Sequence, residues 1–484
     1  MKYIPTIGLE IHAELKTKTK MFCDSLNDPD EKRPNINICP ICMGHPGTLP
    51  VANAEAIKKI IGVGLALDCS INPETFFERK NYFYPDLPKG YQITQFQKPF
   101  CHSGKLEIGN PSAGAQGSRR IRIERIHLEE DVGRLQHTSH GDATLVDYNR
   151  AGIPLMELVT KPDLRTSQDV VAFAQELRLI LRYLGASDAD MEKGQMRVEV
   201  NISVAPEGAK ELGTKVEVKN INSINAAGRA AEYELKRQTE ALENGEKIVQ
   251  ETRGWDENKG ITVSQRTKEG SADYRYFPEP DLPPVVLVKE EINGIESVLP
   301  ELPSKRRERF AKEYSLPVAD VEVFTTNKSL GDDFEKAVSE AFAARAPEND
   351  ADKIKTIKLL ANYLINVYKP GPKVVTPEMF GQFARIVVSG TVSSSVAGVV
   401  LKEMAQTGLN PDHIIHEKDL GQVSDEDELN RIISQVIMDN PAAVTDLKKG
   451  KEASLKFLIG KTMAASKGKA NPQMVERLIK EKIL

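Results

Sequence analysis

Two short segments of the chain gather carboxylate and imidazole side chains in a pattern typical of β-strands. Residues 8–14 read Gly-Leu-Glu-Ile-His-Ala-Glu, and residues 125–131 read Arg-Ile-His-Leu-Glu-Glu-Asp. Because neighbouring strand residues point to opposite faces, the polar residues of each segment are predicted to share one face of a sheet. Acids and imidazoles grouped in this way are costly unless they bind a cation or transfer protons. The pattern therefore favours metal-dependent chemistry. The candidate residues are Glu10, His12, Glu129, Glu130, Asp131 and, from a later segment, Glu157.

The types of these side chains bear on which cation they would hold. Mg²⁺ prefers oxygen ligands and keeps several waters, often binding one or two carboxylates together with substrate phosphates. Histidine suits Zn²⁺ or Mn²⁺ better. His12 could therefore bind the cation directly, or it could contact one of the metal ligands without binding the cation itself. The alternative is that the acids pair with arginines and hold no metal. The arginines in question are Arg122, Arg125, Arg134 and Arg150.

Cysteines form a second candidate site. Cys39-Pro-Ile-Cys42 is half of a typical zinc site, and Cys23 lies upstream as a third thiol. His45 could complete the set, and the alternative is that the thiols are buried or free. The chain has five cysteines, an odd number that argues for a reducing compartment. With no leader pattern and no apolar run near the ~20 residues that span a bilayer, we expect a soluble cytoplasmic protein.

The elements that must position these side chains are strands interrupted by helices up to about residue 293. Strand-like alternation recurs, and its phase breaks at residues 124–125, as a β-bulge would cause. Four prolines within residues 278–284 end this region, and helical periodicity dominates beyond it. Predicted helices cover residues 53–67, 167–184 and 224–243, and further strands cover 120–124, 197–204 and 214–219.

These patterns predict an α+β chain of several domains, as its 484 residues require. The first is a large, mostly antiparallel-sheet domain at residues 1–293. An all-helical domain at residues 294–406 follows, and a Gly-Leu-Asn-Pro break at residues 408–411 introduces a small helical tail domain at residues 407–484.

Charge is distributed unevenly along the chain. The net charge is −5, yet residues 448–484 carry ten lysines and arginines against three glutamates. Such a basic end is a candidate contact for a polyanion, and the alternative is a solvated helical face. No phosphate-binding loop is present, because Gly460-Lys461-Thr462 lacks the earlier glycine that the motif needs. Candidate nucleotide contacts are therefore taken from the polar strand faces: Arg197, Asn201 and Lys219.

Two loops and four shorter motifs together resemble one family. The loops, rich in aromatic, basic and proline residues, lie at residues 79–92 and 273–281. With Gly-Leu-Glu-Ile-His, His-Leu-Glu-Glu-Asp, Glu-Thr-Arg-Gly-Trp and Lys-Gly-Lys-Ala-Asn-Pro, they resemble the B subunit of the glutamyl-tRNA(Gln)/aspartyl-tRNA(Asn) amidotransferase. These four motifs stand at residues 8–12, 127–131, 251–255 and 467–472. The resemblance runs from about residue 3 to the end, so it covers all the predicted domains.

The resemblance implies a fold and an activity. The first domain would be the family's cradle domain, and the tail would grip tRNA. The enzyme would be a heterotrimer with an amidase (A) subunit, which releases ammonia from glutamine, and a small (C) subunit. ATP and Mg²⁺ would activate the side-chain carboxylate of a misacylated tRNA as an acyl phosphate. Ammonia arriving through a tunnel would then displace the phosphate to give Gln-tRNA(Gln) or Asn-tRNA(Asn).

The resemblance also implies roles for individual residues. Glu10, His12, Glu129 and Glu157 would form the Mg²⁺ cluster. Asp131 would contact these ligands without binding the cation itself. Glu130 and Lys80 would form a charged pair at the mouth of the ammonia tunnel. Ser25 stands where zinc-bearing members carry a further cysteine, which argues against zinc at Cys23, Cys39 and Cys42. The implied tRNA contacts are Lys448, Lys449, Lys451, Lys467 and Lys469.

Two other functions fit part of the sequence. One is a non-catalytic tRNA-binding scaffold of the same complex, in which the acids serve only in ion pairs. The other is a stand-alone carboxylate–amine ligase that uses free ammonia and a small acid. The sequence does not distinguish between Glu-tRNA(Gln) and Asp-tRNA(Asn) as substrates.

Overall fold

A computed structural model describes the chain over residues 2–109, 118–138, 140–267, 274–343, 346–347, 349–420, 426–466 and 469–483. The chain divides into two compact units, residues 1–304 and 305–484. The first contains the sheets and the second is helical, so the α+β prediction is confirmed. The division into three domains at residues 293 and 406 stays a prediction.

The strands are β1 Tyr3–Glu14, β2 Ser70–Ile71, β3 Glu74–Thr75, β4 Glu78–Asn81, β5 Tyr91–Thr94, β6 Cys101–Gly109, β7 Ser118–Glu130, β8 Arg134–His137, β9 Thr144–Asp147, β10 Pro154–Thr160, β11 Met196–Pro206, β12 Val216–Lys219, β13 Glu251–Asp256, β14 Ile261–Thr267, β15 Phe277–Pro278 and β16 Val285–Val286. The helices of the first unit are α1 Ala54–Ala66, α2 Ser167–Tyr183, α3 Ile224–Glu243 and α4 Lys289–Ser297.

A nine-stranded sheet organises the first unit. Its order is β14-β13-β12-β11-β1-β10-β7-β6-β2, and every neighbouring pair is antiparallel except β12 and β13, as the mostly antiparallel prediction required. One face packs on α2 and α3 in a continuous hydrophobic core. Within it, Ile7, Leu9 and Ile11 of the central strand are at most 1% exposed. The polar residues of the same strands therefore lie on the opposite face.

A β-bulge in β7 decides which of its residues face the core. Arg125 pairs with Val159 and Ile123 pairs with Thr160, so Glu124 is an extra residue on β7 opposite β10. Ile121 and Ile123 are buried before the bulge, and Ile126 and Leu128 are buried after it. The predicted phase break is confirmed. Because the bulge shifts the alternation by one residue, His127 and Glu129 lie on the polar face.

The three helices predicted in the first unit are present with the predicted ends, give or take one residue. Side-chain caps explain where they begin, because each satisfies backbone N–H groups that have no partner within the helix. Asn53 accepts hydrogen bonds from Glu55 N and Ala56 N, and Ser223 accepts one from Ala226 N. Thr166 and Asp169 form a reciprocal capping box at α2.

The second unit contains helices packed into two hydrophobic clusters. Ile414 and Ile415 of α11 join the first cluster, and the last four helices build the second. None of the helices in the described residues is long and apolar enough to cross a membrane. The helices, with one π-helical turn, are α5 Pro303–Tyr314, α6 Val318–Thr326, α7 Lys328–Ala343, α8 Asp350–Asn362, the π-turn Tyr363–Val367, α9 Pro377–Val388, α10 Ser394–Thr407, α11 Pro411–Glu417, α12 Glu426–Asp439, α13 Pro441–Lys448, α14 Glu452–Ala465 and α15 Pro472–Ile483.

Candidate active site

Strand register gathers acids and imidazoles from adjacent strands on the polar face of the sheet. His12 of β1 lies opposite Glu157 of β10, and Glu157 lies opposite His127 of β7. On the other side, Glu10 lies opposite Glu199 of β11. Directly opposed residues of neighbouring strands project from the same face at close range. The register therefore places these titratable side chains on one face in two adjacent rows, with His12, Glu157 and His127 in one and Glu10 and Glu199 in the other.

His12 lies at the centre of these side chains. Its Nε2 is 3.3 Å from Glu157 Oε2, 3.7 Å from Glu129 Oε1 and 4.0 Å from Glu10 Oε1. His127 makes a similar set, with Nε2 3.5 Å from Glu157 Oε2 and 3.7 Å from Glu129 Oε2. All four predicted Mg²⁺ ligands therefore come together around one imidazole.

The spacing of these atoms suits a divalent cation. Three groups each offer ligand atoms within 4.8 Å of one another, and Glu157 belongs to two of them. The donors are mainly carboxylate oxygens, which fits the oxygen preference of Mg²⁺ or Mn²⁺. The Nδ1 atoms of both histidines are buried without a hydrogen-bond partner. The three groups are Glu10, His12 and Glu157; His127, Glu129 and Glu157; and Glu10, Glu199 and Glu217.

Electrostatics in the cluster favour a positive charge at its centre. Burial alone lowers the pKa of His12, but the hydrogen bond and charge of Glu157, together with Glu129, outweigh it and raise the pKa to about 9. Burial, followed by the charges of Glu157 and Glu199, raises the pKa of Glu10 to about 7. Burial opposes ionisation of Glu157, but His127 and His12 hold its pKa well below its usual range.

An open pocket of about 470 Å³ lies over this cluster. Its basic side chains contact the acids: Lys219 Nζ is 2.8 Å from Glu199 Oε2, and Arg125 Nη2 is 3.5 Å from Glu157 Oε1. The pocket thus combines acids for a cation with bases for an anion. It is lined by Glu10, Lys80, Thr94, Gln95, Phe96, Arg125, His127, Glu129, Glu157, Glu217, Lys219, Thr252, Gln265, Tyr274 and Tyr276.

Comparison with known proteins identifies the family of this chain. A family model described as GatB/GatE catalytic domain matches residues 5–293, which contain the whole cluster, and one described as GatB domain matches residues 333–483. The chain belongs to the GatB family. It is 46% identical to the B subunit of the aspartyl/glutamyl-tRNA(Asn/Gln) amidotransferase of Thermoanaerobacter pseudethanolicus over the full length of both chains. The B subunit of the same name from Brevibacillus brevis is 43% identical over 99% of this chain and 98% of its own. The resemblance inferred from the motifs is confirmed.

Three members of the cluster in this GatB chain had no assigned role in the sequence prediction. They are His127, Glu199 and Glu217. Each stands on the polar face of a strand that the sequence indicated, and His127 lies two residues from Glu129. The alternation of polar and apolar residues therefore indicated which face of the sheet these three side chains share. It could not show which strands would be neighbours.

Lys80 and Glu130, predicted as a charged pair, lie in different surroundings. Lys80 lines the pocket. Burial lowers its pKa, but the charges of Glu129 and Glu157 together with Tyr276 and Tyr274 outweigh this and raise it. Glu130 instead forms a buried ion pair with Lys89 and accepts a hydrogen bond from Ile93 N at 2.9 Å. Adjacent residues of a strand point to opposite faces, so Glu129 and Glu130 cannot share one partner. In the structure Glu130 pairs with Lys89, and the tunnel-mouth roles of Lys80 and Glu130 stay predictions.

The three candidate nucleotide contacts also separate. Lys219 lines the pocket. Arg197 is held by Asp131, with Nη1 and Nη2 at 3.2 and 3.1 Å from its two carboxylate oxygens. Asn201 has a buried Oδ1 without a hydrogen-bond partner. Of the three, Lys219 is the best placed to meet a ligand in the pocket, and all three nucleotide roles stay predictions.

The arginines that the sequence suggested as ion-pair partners contact different carboxylates. Arg125 contacts Glu157, and Arg150 Nε lies 3.6 Å from Asp131 Oδ2. Arg122 pairs with Asp163, outside the cluster. Asp131 is therefore the carboxylate that is most completely matched by arginines, and its contacts suit the supporting role that the resemblance implied.

We expect Asp131→Asn to destabilise the first unit by about 3 kcal/mol, because removing one partner of a buried ion pair leaves the other charges uncompensated. Asp131 is 3% exposed and contacts both Arg197 and Arg150. The measurement is chemical denaturation of the full chain, followed by the fluorescence of Trp255. Asp68→Asn is the control, since Asp68 is exposed and pairs with Lys105 at the surface. Equal stability of the two variants would contradict the assigned support.

The three cysteine thiols lie close together, but His45, the fourth ligand suggested by the sequence, is not among them. Sulfur atoms of Cys23, Cys39 and Cys42 lie within 4.8 Å of one another. His45 is not part of this group in the described residues. The additional neighbours of Cys42 Sγ are Ser25 Oγ at 4.0 Å and Lys20 Nζ at 3.8 Å.

The predicted tRNA-binding lysines are not equivalent. Lys448 ends α13, and Lys449 and Lys451 follow it as exposed residues before α14; Lys451 donates a hydrogen bond to Asp446 at 3.1 Å, but its side chain is 61% exposed. Lys469 donates a hydrogen bond to Asp419 at 2.6 Å, and its side chain is only 18% exposed. Lys467 lies outside the described residues. The strongest candidates for a phosphate contact are therefore Lys448, Lys449 and Lys451.

Proposed function

We propose that this chain is the amidating subunit of a tRNA-dependent amidotransferase, using Glu-tRNA(Gln), Asp-tRNA(Asn) or both. The reaction converts the side-chain carboxylate into an acyl phosphate at the expense of ATP, and ammonia then displaces phosphate to give the amide. The acid and imidazole cluster under an open, partly basic pocket is the observation that supports a catalytic role. The family membership and the names of the relatives support the substrate class.

The residues around His12 are suited to hold a divalent cation in this reaction. Glu10, His12, Glu129 and Glu157 would be its ligands, with His127 beside them. Phosphoryl transfer depends mainly on positioning and on neutralising charge, and a bound Mg²⁺ together with ATP supplies that neutralisation and the phosphoryl group. The proposal needs no nucleophilic side chain on this chain, because ammonia attacks the activated carboxylate directly.

The remaining pocket residues can position the substrates. Lys219 and Arg125 present positive charge toward the pocket and can bind phosphate or carboxylate oxygens. Lys80 stays protonated, because Glu129 raises its pKa, so it is suited to bind an anion rather than to act as a base. Tyr274 flanks it, with the ring centroid 4.9 Å from Lys80 Nζ.

The proposed complex contains an amidase subunit as the source of ammonia and a small third subunit. The helical second unit would contact tRNA through the tail, and the amidating complex would work in the cytoplasm, where aminoacyl-tRNA is consumed. The three-domain division and the ammonia tunnel belong to this proposal.

Reconstitution tests the function directly. The chain is mixed with the two partner subunits, Mg²⁺, ATP, glutamine and either Glu-tRNA(Gln) or Asp-tRNA(Asn), and the amino acid released from the tRNA is identified. Formation of Gln-tRNA or Asn-tRNA is expected. A complex that hydrolyses glutamine but forms neither product would favour the scaffold. Amidation of free glutamate without tRNA would favour the stand-alone ligase.

Cation binding is expected to release protons. His12 has a pKa of about 9 and therefore carries a proton at neutral pH. A divalent cation at its Nε2 competes with that proton, so the affinity for Mg²⁺ should rise with pH up to about pH 9. Titration calorimetry at pH 7.5, in two buffers with different heats of ionisation, measures the proton release. Identical heats in both buffers would contradict a role for His12 as a ligand.

A further inference from the structure

The three thiols form a tight turn that looks like half of a metal site. Cys39 N donates a hydrogen bond to Cys42 Sγ at 3.1 Å, and Cys23 Sγ joins them from the preceding segment. Ser25 lies beside Cys42, with its Oγ 4.0 Å from Cys42 Sγ. Structural zinc sites are closed by four thiolate or imidazole ligands, and a neutral hydroxyl is a poor substitute.

A buried lysine provides a second, independent observation. Lys20 is 0% exposed, and its Nζ lies 3.8 Å from Cys42 Sγ and 3.2 Å from the Tyr148 carbonyl oxygen. Within the described part of the chain it forms no ion pair with a carboxylate. Burying an ammonium group is costly unless other groups compensate its charge. The polarisable sulfur atoms and one carbonyl oxygen are the groups that can do so here.

The positions of Lys20 and Ser25 do not fit a zinc ion. An ammonium group beside Cys42 would repel a second cation bound to the same sulfur, and this repulsion is weakly screened in a buried site. The set also lacks a fourth anionic or imidazole ligand among the described residues. We infer that the thiol cluster is a metal-independent site in which the Lys20 ammonium group takes the place of a structural zinc ion.

This thiol cluster lies next to the Lys89–Glu130 ion pair. Gly44, two residues after Cys42, packs so closely on Lys89 that an added Cβ would lie 2.5 Å from Lys89 Cγ. Gly152 has a φ of +88°, and a Cβ there would lie 3.4 Å from Cys42 Cβ and 3.9 Å from Glu130 Oε2. The segment with the three thiols therefore packs against the Lys89–Glu130 pair. The inference rests on the contacts of Lys20 and Ser25 and not on the proposed amidation.

Zinc content distinguishes the two possibilities. The full-length protein is incubated with zinc, dialysed and analysed by elemental mass spectrometry, beside the double variant Lys20→Met/Ser25→Cys. We expect substoichiometric zinc in the natural chain and close to one zinc atom per chain in the double variant, which has four thiols and no ammonium group. The matched control, Lys20→Met/Ser25→Ala, should bind less than the double variant. One tightly held zinc atom per natural chain would overturn the inference.

A second measurement needs no variant. Cys39 is the only partly exposed member of the trio, so its thiol is expected to react first with a disulfide reagent. Addition of zinc should leave that reaction rate unchanged. A slowing of about tenfold would show that the metal occupies the thiols and would overturn the inference.

Discussion

Replacing Glu129 with glutamine is expected to lower ATP-dependent amidation on the order of 10³-fold, while glutamine hydrolysis by the amidase partner continues. Glu129 is 3% exposed, and its two oxygens face His12 and His127 at 3.7 Å. Glutamine keeps the size of the side chain but removes the charge that would neutralise a cation. The measurement is the initial rate of amidated aminoacyl-tRNA formation, with glutamate release assayed in the same mixture.

Glu124→Gln provides the matched control for this experiment. Glu124 stands on the same strand, but it is exposed and pairs with Lys161 at the surface. Its replacement should leave both activities unchanged. If Glu129→Gln amidated at the natural rate, the cluster could not be the centre of the reaction, and the scaffold would become the better account of this chain.

The second large effect is expected at the tail. Replacing Lys448, Lys449 and Lys451 together with alanine should weaken tRNA binding by about tenfold to a hundredfold at moderate salt. Each lysine that contacts a phosphate releases counterions, so the slope of log affinity against log salt should fall by about two to three. Binding to labelled tRNA at several salt concentrations measures both quantities, and ATP-site function should be unaffected.

The second unit also provides a control for the loss of positive charge as such. Lys353, Lys355 and Lys358 of α8 are surface lysines, and their replacement removes the same charge. If this control weakened binding equally, the tail would have no special role. Truncation is a poorer test than substitution, because a cut at residue 411 would remove Ile414 and Ile415 from the preceding hydrophobic cluster.

The sequence predicted the faces of strands better than their neighbours. Alternation placed Glu10 and His12 on a polar face, because a two-residue period leaves few other ways to bury Leu9 and Ile11. It also located the break at Glu124. Cross-strand contacts depend on register between segments that lie far apart in the chain, and alternation carries no information about register.

The contacts that the sequence did not predict follow from that missing register. The Glu130 carboxylate forms an ion pair with Lys89 rather than with Lys80, and Arg197 forms an ion pair with Asp131. Glu217 joins the cluster because β12 lies beside β11, an adjacency that no local motif records. Lys20 was not identified at all, since a lysine between Thr19 and Met21 gives no sign that its ammonium group will be buried.

The extra residue at Glu124 has a counterpart on the other neighbour of β7. Cys101 of β6 pairs with Ile126 and Gly104 pairs with Ile123, so β6 stays in step with β7 across the break. Ser103 therefore stands opposite Glu124, and its φ of +55° marks a matching irregularity in β6.

This match limits how the two strands can change length. Loss of the codon for Glu124 alone would keep the isoleucines of β7 on the core face, but it would leave β6 one residue too long on one side of the break. A simultaneous loss at Ser103 would restore the pairing of the two strands. These positions should therefore gain or lose a codon only together.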